Sequence, residues 1–160
     1  MRLFYNISIE LAAATVRLFG GLNKKIQQGQ KGRNSSLNIL KKALLPSDKV
    51  IWLHCASLGE YEQGLPVFQA LKKHYNNYKF VMTFFSPSGY EIRKDNPIAD
   101  VVVYLPLDQK AAVNSFLDVV HPELIVFVKY DLWPNYLSEI KRRNITSILI
   151  SALFRPSQVY

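Results

Sequence analysis

Residues 50–60 read VIWLHCASLGE. Six uncharged residues, mostly aliphatic, β-branched or aromatic, run without strict alternation into a short Ser/Gly turn that ends on a glutamate. A continuous apolar run of this length predicts a strand buried on both faces. The pattern recurs at Lys79–Phe84 (KFVMTF), Val101–Tyr104 (VVVY), Leu124–Val128 (LIVFV) and Ser147–Ser151 (SILIS). Helical patterns lie between, near Glu60–Tyr75, Pro87–Lys94, Lys110–Val120 and Pro134–Arg143. Regular strand–helix alternation predicts an α/β fold, a Rossmann-like parallel sheet with right-handed crossovers and helices on both faces.

Such sheets bind ligands beyond the carboxyl ends of their strands, where the helices begin. The loops to search are therefore 56–60, 85–89, 105–108, 129–133 and the segment after Ser151. None holds GxGxxG or GxxxxGK[ST], so the glycine signatures of a dinucleotide site and of a P-loop are both missing.

The chain has 160 residues, 49% hydrophobic and 20% charged, which excludes a disordered polymer. Its single cysteine, Cys55, excludes an internal disulfide framework and a cysteine-built zinc site. His54, His74 and His121 stand too far apart for metal-ligand spacing. The net charge of +8 suggests a polyanionic partner, but it is unevenly placed. Residues 1–50 hold nine Lys/Arg against two acids, whereas residues 51–160 hold eleven against ten. A nearly neutral body argues against a nucleic-acid surface.

The excess belongs to an N-terminal segment, and a boundary is placed at residues 49/50. Residues 3–22, LFYNISIELAAATVRLFGGL, carry a narrow polar stripe (Asn6, Glu10, Arg17) on an otherwise apolar helix. A charge at mid-bilayer costs ~3 kcal/mol, so a clean span is disfavoured. No A-x-A cleavage site follows, which argues against a cleaved signal peptide. Gly20-Gly21 ends the helix, and the basic stretch up to Arg33 follows. Two readings stay open: a membrane-surface anchor with a basic cluster beside it, or a helix packed on the body with a solvated charged linker. At the other end the chain stops soon after a strand, with no covering helix, as expected of a piece of a longer protein.

Four loops together resemble the N-terminal domain of the 3-deoxy-D-manno-oct-2-ulosonic acid (Kdo) transferases of lipopolysaccharide biosynthesis. The matches are His54-Cys55-Ala56-Ser57-Leu58-Gly59-Glu60, Thr83-Phe84-Phe85-Ser86-Pro87-Ser88-Gly89, Tyr104-Leu105-Pro106-Leu107-Asp108 and Asp131-Leu132-Trp133-Pro134-Asn135. They fall in order from about Val50 onward. The resemblance implies the first half of a two-domain, GT-B-type, metal-independent glycosyltransferase. Its donor would be CMP-Kdo, bound mainly by the other domain, and its acceptor a phosphorylated lipid A precursor. It implies transfer with inversion, no further cofactor, and a place on the cytoplasmic face of the bacterial inner membrane, against an anionic surface. Two departures stand out. Asp131 replaces the family's usual glutamate, and Arg155 sits two places from the arginine expected after the fifth strand.

The resemblance makes Glu60 the base that accepts the acceptor's hydroxyl proton, and Asp131 a second acidic site residue. Read locally, Ser57–Glu60 is an S-x-x-E capping box in which Glu60 would bond the Ser57 N–H. Ser57 and Gly59 form either a substrate-binding turn or a simple cap. Ser86, Ser88 and Gly89 form a Pro-N1 helix start that could also hold a phosphate. Asp131 reads equally as the N-cap of the helix after Trp133, and His54 as a satisfied core histidine. Two other functions remain as alternatives: another GT-B sugar enzyme (a nucleotide-sugar transferase or epimerase), and a non-catalytic membrane-associated binding module.

Overall fold

The computed structural model describes residues 2–19, 21 and 23–152. Five strands form one sheet: β1 (Val50–Cys55), β2 (Lys79–Phe84), β3 (Val101–Tyr104), β4 (Leu124–Val128) and β5 (Thr146–Ile150). All pairs are parallel and the order is β3-β2-β1-β4-β5. The first four strands have the bounds read from the sequence; β5 starts and ends one residue earlier. The helices are α1 (Arg2–Phe19), α2 (Lys24–Ala43), α3 (Leu58–His74), α4 (Pro87–Arg93), α5 (Lys110–Val120) and α6 (Pro134–Arg142).

Period-two alternation along each strand splits the core in two. Val50 and Trp52 face one side with Phe127, Phe116, Leu117 and Tyr136, under α2, α5 and α6. Ile51, Leu53 and Cys55 face the other with Phe80, Met82 and Phe68, under α3 and α4. On α5 the buried positions Val113, Phe116, Leu117 and Val120 fall at i, i+3, i+4 and i+7, one stripe of a helix.

The N-terminal segment differs from its sequence reading. The stretch read as a basic linker is the twenty-residue helix α2, capped by Asn23, whose side chain accepts from Lys25 N and Ile26 N. It is held by packing. Leu40 is fully buried and Leu44 nearly so, in the same cluster as Trp52. Burying one such leucine contributes about 1.5–3 kcal/mol. Ser36 Oγ donates to Tyr104 O at 2.8 Å. The apolar positions of α2 are few and far apart among polar residues, so the helix shows only once the exposed end of the sheet at β3 needs a cover.

α1 sits on the body through Ala13, which is buried, and through polar side chains of its first half. Tyr5 donates to Asp108 Oδ2 at 2.7 Å, Asn135 Nδ2 donates to Asn6 Oδ1 at 2.9 Å, and Gln109 donates to Glu10. The opposite face is apolar and open to solvent: Leu3, Phe4, Ile7, Leu11, Leu18 and Phe19 are 49–77% exposed. No described helix is long and apolar enough to cross a membrane.

Gly32 is where α2 closes on the sheet. A Cβ there would meet the Tyr104 ring at 2.2 Å, and that ring lies against Tyr90 with centroids 4.1 Å apart. Gly32→Ala gains ~1 kcal/mol of helix propensity but overpacks a buried ring, which costs ~1–3 kcal/mol. The net outcome is a loss of stability, read as a lower urea midpoint with an unchanged denaturant slope.

Candidate active site

β1 and β4 are neighbours, but the chain leaves them for opposite faces, to α3 from β1 and to α6 from β4. The loops diverge and leave a crevice at the strand ends, the place where open α/β sheets bind ligands. Glu60 lies on one side of it and Asp131 on the other.

Glu60 occupies the first turn of α3. Its carboxylate accepts the Ala56 N–H rather than that of Ser57, and Ser57 caps α3 with no side-chain hydrogen bond. The capping box is thus not formed as the sequence suggests: the glutamate reaches one residue further back and holds the turn between β1 and α3. Burial raises the Glu60 pKa and the Asp131 charge adds to this; the Ala56 N–H, His54 and Lys129 pull the other way. The net shift is upward.

Asp131 does not cap α6. Trp133 is the capping residue, without a side-chain bond, and the α6 N-terminus is served from a distance by Asp108. Fully buried, Asp108 accepts the N–H groups of Asn135 and Tyr136, both at 2.9 Å, and the Tyr5 hydroxyl. The loop carrying Leu105–Asp108 thereby explains the Trp-Pro-Asn turn beside it. Relieved of capping, Asp131 bonds His54 Nε2.

His54 is fully buried and satisfied at both nitrogens. Trp52 Nε1 donates to Thr83 Oγ1 at 2.8 Å, and Thr83 Oγ1 lies 2.7 Å from His54 Nδ1. The indole can only donate. One assignment gives every donor an acceptor: the threonine hydroxyl donates to Nδ1, and Nε2–H donates to Asp131. A buried chain thus runs from the core to a half-buried carboxylate in the crevice. The sequence identified His54 as a satisfied residue but gave no sign of Thr83 as its partner, because the pair spans β1 and β2.

Lys129, directly after β4, has φ 61°, a left-handed conformation that costs energy for a side chain of this kind. Its charge acts on Glu60. Cys55 is buried, and its thiol pKa is pushed well up by burial, so it is no ready nucleophile.

The remaining expected residues lie along the same edge. A Cβ on Gly59 would meet nothing within 4 Å, so the turn above Glu60 is open. Ser86 caps α4, its Oγ accepting from Ser88 N, and its own N–H donates to Ala56 O at 2.8 Å. That bond ties the second loop to the Glu60 turn. A Cβ on Gly89 would meet the Phe84 ring at 2.3 Å, so close packing accounts for the glycine there. Arg155 lies outside the described residues. Among the described residues no group of three or more His, Cys, Asp or Glu is placed to hold a metal. Arg33 of α2 comes from far away in sequence: Nε donates to Leu105 O, Nη2 donates to Phe85 O, and the guanidinium lies 4.4 Å from the Phe85 ring centre. Phe85 in turn packs on Trp133, with centroids 4.9 Å apart.

A Rossmann-like sheet that sets a raised-pKa carboxylate at its switch point has the layout of an α/β enzyme's ligand site. The comparisons with known proteins narrow this to one family. A family model described as 3-deoxy-D-manno-octulosonic-acid transferase (kdotransferase) matches residues 23–160, and the chain belongs to this family of glycosyltransferases. It is 32% identical over 112 residues to the 3-deoxy-D-manno-octulosonic acid transferase of Haemophilus influenzae, covering 69% of this chain and 26% of that protein. It is 30% identical over 134 residues to the enzyme of the same name from Chlamydophila psittaci, covering 81% and 31%. A bifunctional glycosyltransferase/methyltransferase of Fusobacterium nucleatum is 30% identical over 112 residues, covering 67% and 17%. The chain therefore spans a third or less of these relatives.

The raised Glu60 pKa has a stability consequence. Protonation of Glu60 favours the folded chain, and that contribution is lost as pH rises through its titration. Glu60→Gln is expected to have the higher urea midpoint at about pH 7, with the difference vanishing near pH 4, where the native carboxyl is largely protonated.

Proposed function

We propose that this chain is the acceptor-side domain of an inverting enzyme that moves Kdo from CMP-Kdo to a sugar hydroxyl of a phosphorylated lipid A precursor. The observation that carries the reading is the Glu60 carboxylate, half-buried at the switch-point crevice with its pKa raised. A base works best when its pKa approaches the working pH. Glu60 takes the proton of the acceptor hydroxyl as the hydroxyl oxygen attacks the anomeric carbon of Kdo. The new C–O bond forms on the face opposite CMP, and the phosphate oxygen of CMP leaves with the bonding pair. Asp131, held by His54, aligns the hydroxyl or Glu60. CMP-Kdo itself is bound mainly by a second domain. In the intact protein, Glu60→Gln and Glu60→Ala are expected to lower transfer to lipid IVA by about a hundredfold to ten-thousandfold while remaining folded by circular dichroism. Near-native rates would overturn the role.

The same reading sets the domain against the cytoplasmic face of the inner membrane. In support, α1 bonds the body through Tyr5 and Asn6 and leaves Leu3, Phe4, Ile7, Leu11, Leu18 and Phe19 outward, an exposed apolar face suited to a lipid surface. Unpaired cations follow directly: among the described residues, Arg17, Lys24 and Lys25 have no carboxylate within ion-pair distance. Replacing Phe4, Leu11 and Leu18 by Ser together is expected to abolish flotation with vesicles containing anionic phospholipid and leave the urea midpoint nearly unchanged. Retained flotation would remove α1 as the anchor.

A further inference from the structure

A cavity of about 700 Å³ lies between α1, α2 and the loops after β2 and β3. That is within the roughly 300–1,000 Å³ of small-ligand sites. Its walls divide by chemistry. Ala13 and Val16 of α1, Leu37 of α2, and Pro106 and Leu107 after β3 form an apolar lining. Arg17, Lys25 and Arg33 also line it, and no Asp or Glu does. Arg17 and Lys25 are exposed and unpaired among the described residues. Arg33 is largely withdrawn from water, which lowers its pKa, and its described hydrogen bonds go to two backbone carbonyls, not to a carboxylate. A cation buried without a counter-ion is costly. One withdrawn guanidinium and two exposed, unpaired cations around an apolar chamber are complementary to an anion carried on a hydrocarbon chain.

The cavity also neighbours the candidate active site. Ser86 lines it, and the Ser86 N–H donates to Ala56 O at 2.8 Å, while the Ala56 N–H donates to Glu60. Phe85, another wall residue, packs on Trp133, two residues after Asp131. On its other side the chamber is roofed by α1, whose outer face is apolar. A lipid lifted from a bilayer at α1 would thus enter beside the loop that leads to Glu60.

We propose that this cavity holds one acyl chain and an adjoining phosphate of the glycolipid acceptor, the apolar walls taking the chain and Arg17, Lys25 and Arg33 the phosphate. The inference rests on the acceptor reading above and extends it from the reacting hydroxyl to a second point of attachment. It explains why α2 brings a guanidinium to the C-terminal edge of the sheet.

The test uses the intact protein, with the acylated lipid A precursor and its fully deacylated form as alternative acceptors. Ala112→Phe places a ring into the chamber from α5. It is expected to raise KM for the acylated acceptor by about tenfold or more with kcat little changed, and to leave KM for the deacylated acceptor as it was. Arg17→Gln with Lys25→Gln is expected to raise KM for both acceptors, because both keep their phosphates. Unchanged KM values, or an equal rise for both acceptors in Ala112→Phe, would overturn the proposal. If Ala112→Phe does not fold, Val16→Trp fills the same space from α1. Binding gives a readout independent of catalysis. Trp133 stands beside the cavity wall and Trp52 is fully buried, so a precursor with brominated acyl chains should quench Trp133 fluorescence, and Ala112→Phe should remove the quenching. Quenching that survives Ala112→Phe, or equal quenching by brominated phosphatidylglycerol, would overturn the assignment to the acceptor. A native protein that binds the brominated precursor at the cavity but transfers no Kdo would sink the transfer reading and leave the cavity assignment standing.

Discussion

A five-stranded parallel sheet has two apolar faces, and both have to be covered. This constraint shapes the molecule. Helices α5 and α6 cover one face across β1, β4 and β5, and α3 and α4 cover the other. The sheet extends to β3 on the first face, where α5 and α6 do not reach. α2 fills that gap with Leu40, Leu44 and Ser36. A helix that is mostly polar by composition is therefore part of the core, and the basic N-terminal segment is fixed in place.

Two carboxylates, one buried and one half-buried, take on different tasks as a result. Asp108 caps α6 from another loop and ties α1 to the body, a structural role fulfilled through three donors. Asp131, which sequence suggested for that cap, is left to the crevice and is held by His54. The chain Trp52–Thr83–His54–Asp131 crosses two strands and fixes the orientation of the acid facing Glu60. The imidazole is near enough to hold the Asp131 carboxylate at the crevice.

The unusual orientation of α1 follows from the same economy of partners. Tyr5, Asn6 and Glu10 satisfy groups on the loops after β3 and β4 while Ala13 and Val16 turn inward, so the large apolar residues of the opposite side have only solvent or lipid to face. The roof of the cavity and the candidate membrane surface are then two sides of one helix, and the cations between them belong to neither an ion pair nor the core.

The sequence by itself determined the strands, five of the six helices and the order of the strand-end loops. Apolar runs of five or six residues bounded by turn residues have few alternatives, and strand–helix alternation permits one handedness. It also placed Glu60 and Asp131 in the first and fourth candidate loops, because ligand sites in such sheets lie at strand ends. Only the tertiary structure decided which carboxylate caps and which is free, that His54 joins Thr83 to Asp131, that residues 24–43 form a packed helix, and that Arg33 reaches the C-terminal edge of the sheet. Each of these is a contact between residues far apart in the chain. Periodicity reports which face of an element is apolar. It does not report which neighbour that face, or a polar side chain beside it, will meet.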